Sequence, residues 1–248
     1  MTENWSHEDT LQARFHSVEE NLKEIREKIA EAALKSGRVP EDVTLLAATK
    51  TVPSEVINHA IHLGIDHIGE NRVQELMDKY DALDLSACAC HFIGHLQTNK
   101  AKYLVGRVGM IQSVDSAKLA KEISRLSVYQ GVSTDILIEV NIGREENKSG
   151  VLPEALEELI AEISTLPALR LRGLMAIPPV SDKISQTMTY FSKMYEYFVD
   201  IKEKKSDNKR DHIDVLSMGM SADYAQAVEC GATLVRVGSS LFGRRVYP

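Results

Sequence analysis

Eight short apolar runs recur along the sequence at the interval of a strand plus a helix, and no other feature limits the fold so strongly. They are VTLLAATK (43–50), HIGE (67–70), HFIGH (91–95), MIQSV (110–114), DILIEVN (135–141), LRGLMAI (171–177), VLSMG (215–219) and LVRVG (234–238). Amphipathic stretches of helical length, such as SAKLAKEISRLSVYQ and PEALEELIAEISTL, lie between most of them. Units of roughly 25 residues, each a strand followed by a helix, predict a single (β/α)8 barrel of the TIM type. A doubly wound open sheet is the alternative, because periodicity does not report closure. Ahead of the barrel, residues 9 to about 38 carry Leu11, Phe15, Val18, Leu22, Ile25, Ile29, Ala32 and Ala33 on one stripe, an extra helix that Gly37 and Pro40 stop. No linker rich in Pro, Gly or Ser divides the chain, so residues 9–248 are expected as one domain behind a poorly ordered start at 1–8.

The 248 residues carry a formal charge of −7, which argues against general affinity for nucleic acid or anionic membranes. No apolar run approaches the ~18 residues of a membrane helix, and MTENWSHEDT lacks the basic and apolar regions of a signal peptide. A soluble, cytoplasmic protein is expected, and three cysteines, which cannot all pair internally, suit a reducing compartment.

In a barrel of this kind the site gathers at the C-terminal ends of the strands. Those ends are Lys50, Glu70 with Asn71, His95, Ser113, Asn141, Met175, Ser217 and Arg236, a polar set beside apolar runs. Poor solvation of Lys50 against apolar strand residues is expected to lower its pKa and make a neutral amine available to attack carbonyls. Such lysines form Schiff bases with sugars and with pyridoxal phosphate; the plain alternative is a lysine whose head snorkels to water. SMGMSAD (217–223) and RVGSSLFG (236–243) follow the last two strands, each with glycine among small hydroxyl residues ahead of a helix. Backbone N–H groups of such turns suit an anion, in the loops where these barrels commonly bind phosphate; turn glycines and capping serines are the ordinary explanation. A Schiff-base lysine opposite a phosphate site implies a phosphorylated aldehyde. CACH (88–91) has no second Cys/His cluster to complete a zinc site, so no metal is expected. KEKKSDNKR (202–210) reads as a solvated helix end and loop. Lys148, in GREENKSG, either overhangs the pocket mouth or is a surface lysine, and His95 is given no role.

Taken together, AATK, GENRVQE, HFIGHLQTNK, SVDS, EVNIGREENKSG, LRGLMAI and SMGMSADYAQAVECGATLVRVGSSLFG resemble the YggS/PROSC family of pyridoxal-phosphate homeostasis proteins, from about residue 43 to residue 245. That family is similar in fold to the N-terminal barrel of alanine racemase. The resemblance implies that Lys50 holds pyridoxal 5′-phosphate as a Schiff base. It implies that Ser217, Gly238 and Ser239, with neighbouring N–H groups, bind the phosphate, and that Arg236 faces the pyridine nitrogen. Asn71, Met218 and Ser221 should line the cofactor pocket. Ser239 stands where the family often has threonine and keeps the hydroxyl donor. An arginine there leaves the ring nitrogen unprotonated and the ring a poor electron sink. Alanine racemase takes a tyrosine base from a second domain; a sequence ending at Pro248 leaves no room for one, and Tyr247 is a poor substitute. A missing base forfeits roughly 10²–10⁴-fold in rate. The implied function is therefore binding of the cofactor, by a monomer, in vitamin B6 and amino-acid homeostasis, with amino acids and apo-enzymes that use pyridoxal phosphate as further partners. The rival expectations are a pyridoxal-phosphate-dependent, racemase-like enzyme and a class I aldolase-type lyase that uses Lys50 without a cofactor.

Overall fold

A strand that is apolar on both faces must be covered on both, and TDILIE meets that demand in full: every residue of Thr134–Glu139 is buried. The structure, a computed structural model, describes residues 7–181, 183–204 and 212–243. In chain order its elements are α1 (His7–Lys35), β1 (Thr44–Ala48), α2 (Ser54–His62), β2 (His67–Glu70), α3 (Val73–Lys79), β3 (Ala89–Phe92), β4 (Met110–Val114), α4 (Ala117–Gln130), β5 (Thr134–Glu139), α5 (Leu156–Thr165), β6 (Leu169–Met175), α6 (Ile184–Lys204), β7 (Val215–Ser217), α7 (Tyr224–Glu229), β8 (Leu234–Val237) and α8 (Ser239–Phe242). The strands are parallel and follow sequence order around a closed barrel. Closure is made by β1 against β8, in the register Leu45↔Val235 and Leu46↔Arg236. The open sheet is thereby excluded.

Successive side chains alternate across the barrel wall. Ala47, Ile68, Phe92, Ile111, Leu216 and Val235 belong to the layer beneath the helices. Leu46, Ala48, Ile93 and Leu234 form one interior cluster, and Met110, Leu137 and Met175 another. The crossover after β3 departs from expectation, since Thr98–Tyr103 is a 3₁₀ run instead of an α-helix. Gly94 lies so close to the Asn71 carbonyl that a Cβ would overlap it, and the chain must be back at β4 by Gly109. A 3₁₀ run covers that span with fewer residues, at about 2.0 Å rise each against 1.5 Å.

The extra helix is present. Val18, Leu22, Ile25, Ile29, Ala32 and Ala33 are all buried, and Leu11 and Phe15 pack against the same core. It stops at Lys35, earlier than expected, because Gly37 takes φ +73° and the Gly37 and Arg38 N–H groups turn back to the Leu34 and Ala33 carbonyls. The helix packs against α2, α7 and α8. Asn21 Nδ2 donates to the Leu241 carbonyl at 3.0 Å and Arg26 Nη2 to that of Gly64 at 2.8 Å. Of the start expected to be poorly ordered, residues 1–6 lie outside the described residues, while His7 and Glu8 belong to α1. Tyr247 and most of the 202–210 charge run also lie outside the described residues.

Candidate functional site

The C-terminal ends of the strands open into a cavity of about 830 Å³. Lys50, Asn71, Ser221, Arg236, Gly238 and Ser239 line it together. The turn after β1 carries Lys50 to the wall, and β2 ends one residue before Asn71. The Asn71 Oδ1 is buried without a hydrogen-bond partner among the described residues.

The loops after β7 and β8 are tied to each other. Ser221 Oγ accepts from the Gly238 N–H at 3.1 Å and the Ser240 N–H at 3.2 Å, and Ser240 Oγ donates to the Ser221 carbonyl at 3.1 Å. With its lone pairs so engaged, Ser221 still has its own proton to donate. A Cβ at Gly238 would stand 3.1 Å from the Ala48 carbonyl oxygen and 3.3 Å from the Ala48 Cβ. Its φ is −119°, so glycine is needed there for room between β1 and β8 and not for backbone freedom.

Arg236 is 3% exposed, yet it is among the residues that line the cavity. Its Nη1 donates to Ser217 Oγ at 2.6 Å and its Nη2 to the Ala176 carbonyl at 3.0 Å. Burial pushes its pKa down to about 10, against the pull of Glu139 and Asp223, so it stays cationic at neutral pH. Ser217 Oγ in turn donates to Gln112 Oε1 at 2.7 Å, and Gln112 Nε2 lies 2.9 Å from His91 Nδ1. Burial pushes the His91 imidazole down to about 3. A neutral ring that accepts at Nδ1 carries its proton on Nε2, so the direction of every bond from Arg236 to His91 is set.

Two expected pocket residues lie elsewhere. Ser217 is fully buried inside the barrel, with its proton committed to Gln112, and does not line the cavity. Met218 has the opposite strand parity and is buried in the helix-side layer with Leu216. The remaining strand-end residues are spread as follows. Glu70 turns away to Lys79 and Thr49; burial raises its pKa and Lys79 opposes the rise. Asn141 holds the loop after β5, donating to the Glu145 carbonyl at 2.8 Å. Lys148 is exposed and off the cavity wall. His95 lies 3.6 Å from Asp115 near the surface, and Ser113 and Met175 are buried. Burial pushes the Cys88 and Cys90 thiols up to about 11 and about 12.

Sequence reasoning missed one wall of the cavity and the hydrogen-bond chain beneath Arg236. Helix α1 contributes Thr10, Ala13, Arg14 and Ser17, small or polar residues at helical spacing along one flank of the apolar stripe. Beneath the cavity Gln112 is buried inside the barrel and accepts from Ser217, and its signal was a polar side chain in the middle of the apolar run MIQSV.

Fold and site together define a class: a closed (β/α)8 barrel whose strand ends bring one lysine, one buried arginine and a tied pair of glycine–serine loops to a single cavity. The chain belongs to the alanine racemase N-terminal domain family, whose sequence profile matches residues 16–246. It is 43% identical over 231 residues to the pyridoxal phosphate homeostasis protein of Aquifex aeolicus (strain VF5), covering 92% of this chain and 98% of that relative. Over 236 residues it is 37% identical to the protein of the same name from Escherichia coli (strain K12), covering 94% and 99%. The structure of PipY from Synechococcus elongatus, with PLP bound, matches at a TM-score of 0.75 and 34% identity, covering 87% of this chain and all, 100%, of PipY. The family resemblance read from the sequence therefore holds.

Proposed function

We propose that this protein binds pyridoxal 5′-phosphate and acts in the homeostasis of that cofactor and of amino acids, with Lys50 as the covalent anchor. One observation carries the reading: Lys50, Asn71, Ser221, Arg236, Gly238 and Ser239, drawn from four separate segments of the chain, share one cavity. The residues fit the group. Gly238 leaves backbone open to a phosphate, the Ser221 and Ser239 hydroxyls supply donors, and Arg236 supplies a permanent cation for the pyridine nitrogen. When bound, the cofactor supplies an aldehyde with which a lysine amine condenses, releasing water. Ser217, together with the Ala176 carbonyl, fixes the arginine from below.

The same wall supports binding over turnover. Among the described residues that line the cavity, none carries a carboxylate, an imidazole, a thiol or a phenol. Among these residues, proton transfer to or from a substrate would fall to Lys50. Arg236 cannot protonate a ring nitrogen as a carboxylic acid does, which leaves a bound ring a weak electron sink. Residues 9–248 act in this reading as one cofactor-binding unit, a cytoplasmic monomer that exchanges the cofactor with amino acids and apo-enzymes. Among the described residues no helix is long and apolar enough to cross a membrane.

The test is a visible absorption spectrum of the purified protein before and after borohydride, followed by peptide mapping. A yellow protein whose reduced cofactor maps to Lys50, and a Lys50→Ala variant that folds but fixes none, are expected. A reduced adduct on another lysine overturns the assignment, and a colourless protein that takes up no added cofactor overturns the function.

A further inference from the structure

Thr49–Val52 is a four-residue turn, closed by the Val52 N–H to the Thr49 carbonyl at 3.0 Å, with Lys50 and Thr51 at its centre. Thr51 has φ +63°. The third position of such a turn takes glycine when φ is positive, and a β-branched residue there is an outlier. Strain of this kind persists only where the surroundings hold it in place. Helix α3 does so. A Glu75 carboxylate oxygen accepts the Thr51 N–H, and Lys79 Nζ donates at 2.9 Å to the Thr49 carbonyl, the same oxygen that closes the turn. Glu75 and Lys79 stand one helical turn apart, paired at 3.2 Å. Lys79 also reaches Glu70 Oε1 at 2.8 Å, and that oxygen accepts from Thr49 Oγ1 at 2.8 Å.

The geometry points to Glu75 and Lys79 as the positioning pair for Lys50: they clamp the backbone on either side of it in a strained turn that presents its amine to the cavity. The plainer reading is that Lys79 only neutralises Glu70, whose side chain is 1% exposed. Neutralisation needs neither Glu75 nor the Thr49 carbonyl, and these are the partners that grip the residues flanking Lys50. Without the clamp Thr51 relaxes to negative φ, and only a fraction of molecules present Lys50 correctly. The loss scales with that fraction: the left-handed penalty corresponds to about five- to thirtyfold.

The inference rests on the proposed role of Lys50, and the wild-type protein separates the two. If wild-type chain fixes no pyridoxal phosphate at Lys50 under borohydride, the functional reading fails before any variant is compared. The clamp is read first in vitamer-free protein, by hydrogen exchange at the Thr51 amide, which Glu75→Ala is expected to speed. Glu75→Ala should also slow fixation of pyridoxal phosphate at Lys50 about five- to thirtyfold. Its affinity for pyridoxine 5′-phosphate, which has the phosphate and no aldehyde, should hold. Glu75→Gln, which retains an acceptor oxygen, should recover most of the rate. The decisive variant adds Thr51→Gly to Glu75→Ala: glycine adopts positive φ unaided and should restore fixation. Unaltered Thr51 exchange, an undiminished rate in Glu75→Ala, or failure of Thr51→Gly to rescue overturns the assignment. So does a parallel loss of pyridoxine 5′-phosphate affinity, which would mean that the cavity as a whole had collapsed.

Discussion

Removing a single oxygen, in Ser217→Ala, distinguishes a phosphate donor from a strut beneath the arginine. Ser217 Oγ accepts from Arg236 Nη1 at 2.6 Å and donates to Gln112 Oε1 at 2.7 Å, and the residue is fully buried. Loss of a hydrogen bond to a charged group costs about 1.5–3 kcal/mol, and an orphaned buried acceptor about 1–3 kcal/mol. The two losses share one network, and Arg236 keeps its bond to the Ala176 carbonyl, so the expected destabilisation is about 2–5 kcal/mol. Affinity for pyridoxal phosphate should fall by less than about tenfold, since the hydroxyl does not reach the cavity wall. Urea unfolding of the ligand-free protein, followed by circular dichroism, measures the first quantity, and spectrophotometric titration with the cofactor the second. Adding Gln112→Leu should not return that stability, because it leaves the buried His91 Nδ1 without its donor in place of the orphaned amide oxygen. A Ser217→Ala protein with the wild-type unfolding midpoint and tens-fold weaker binding would refute the strut, because the hydroxyl would then be meeting the phosphate.

Two further predictions concern the loops and the barrel interior. Gly238→Val should weaken pyridoxal phosphate binding more than Ser239→Ala, because the added Cβ alone stands 3.1 Å from the Ala48 carbonyl. Neither change should much affect pyridoxal, and titration of the wild type with equal affinity for pyridoxal and its phosphate would remove both loops from the site. His91 stays neutral in the fold down to about 3, while the unfolded chain takes up its proton near 6.5. Its contribution is therefore fully present above pH 6.5 and is lost as pH falls toward 3. The stability difference between wild type and His91→Phe should shrink by about 1.4 kcal/mol per unit between pH 6 and 4. Denaturant midpoints at pH 7, 6, 5 and 4 measure it, and a constant difference would mean that His91 takes up a proton in the fold.

The apolar periods are properties of neighbouring residues, and they made the eight strands, the stripe of α1 and the placing of Lys50 at the end of β1 legible before any coordinate was known. Gly238 and Ser239 were legible for the same local reason, as small residues between a strand and a helix. Period-2 alternation also implies that Ser217 and Met218 cannot both face the interior. Which of them does so is settled by partners far away in the chain: Ser217 meets Gln112 across 105 positions and Arg236 across 19. Closure of the barrel rests on the register of β1 with β8, a pairing between the two ends of the fold that no local pattern records. Glu70 shows the same limit. It ends β2 beside Asn71 and reads as a pocket residue, yet a buried carboxylate must find a cation, and Lys79, which is not on the cavity wall, pairs with it at 2.8 Å and draws it into the clamp behind Lys50. Side chains are turned by whichever charge or hydrogen-bond partner the packed chain brings near, and that choice exists only once the barrel has closed.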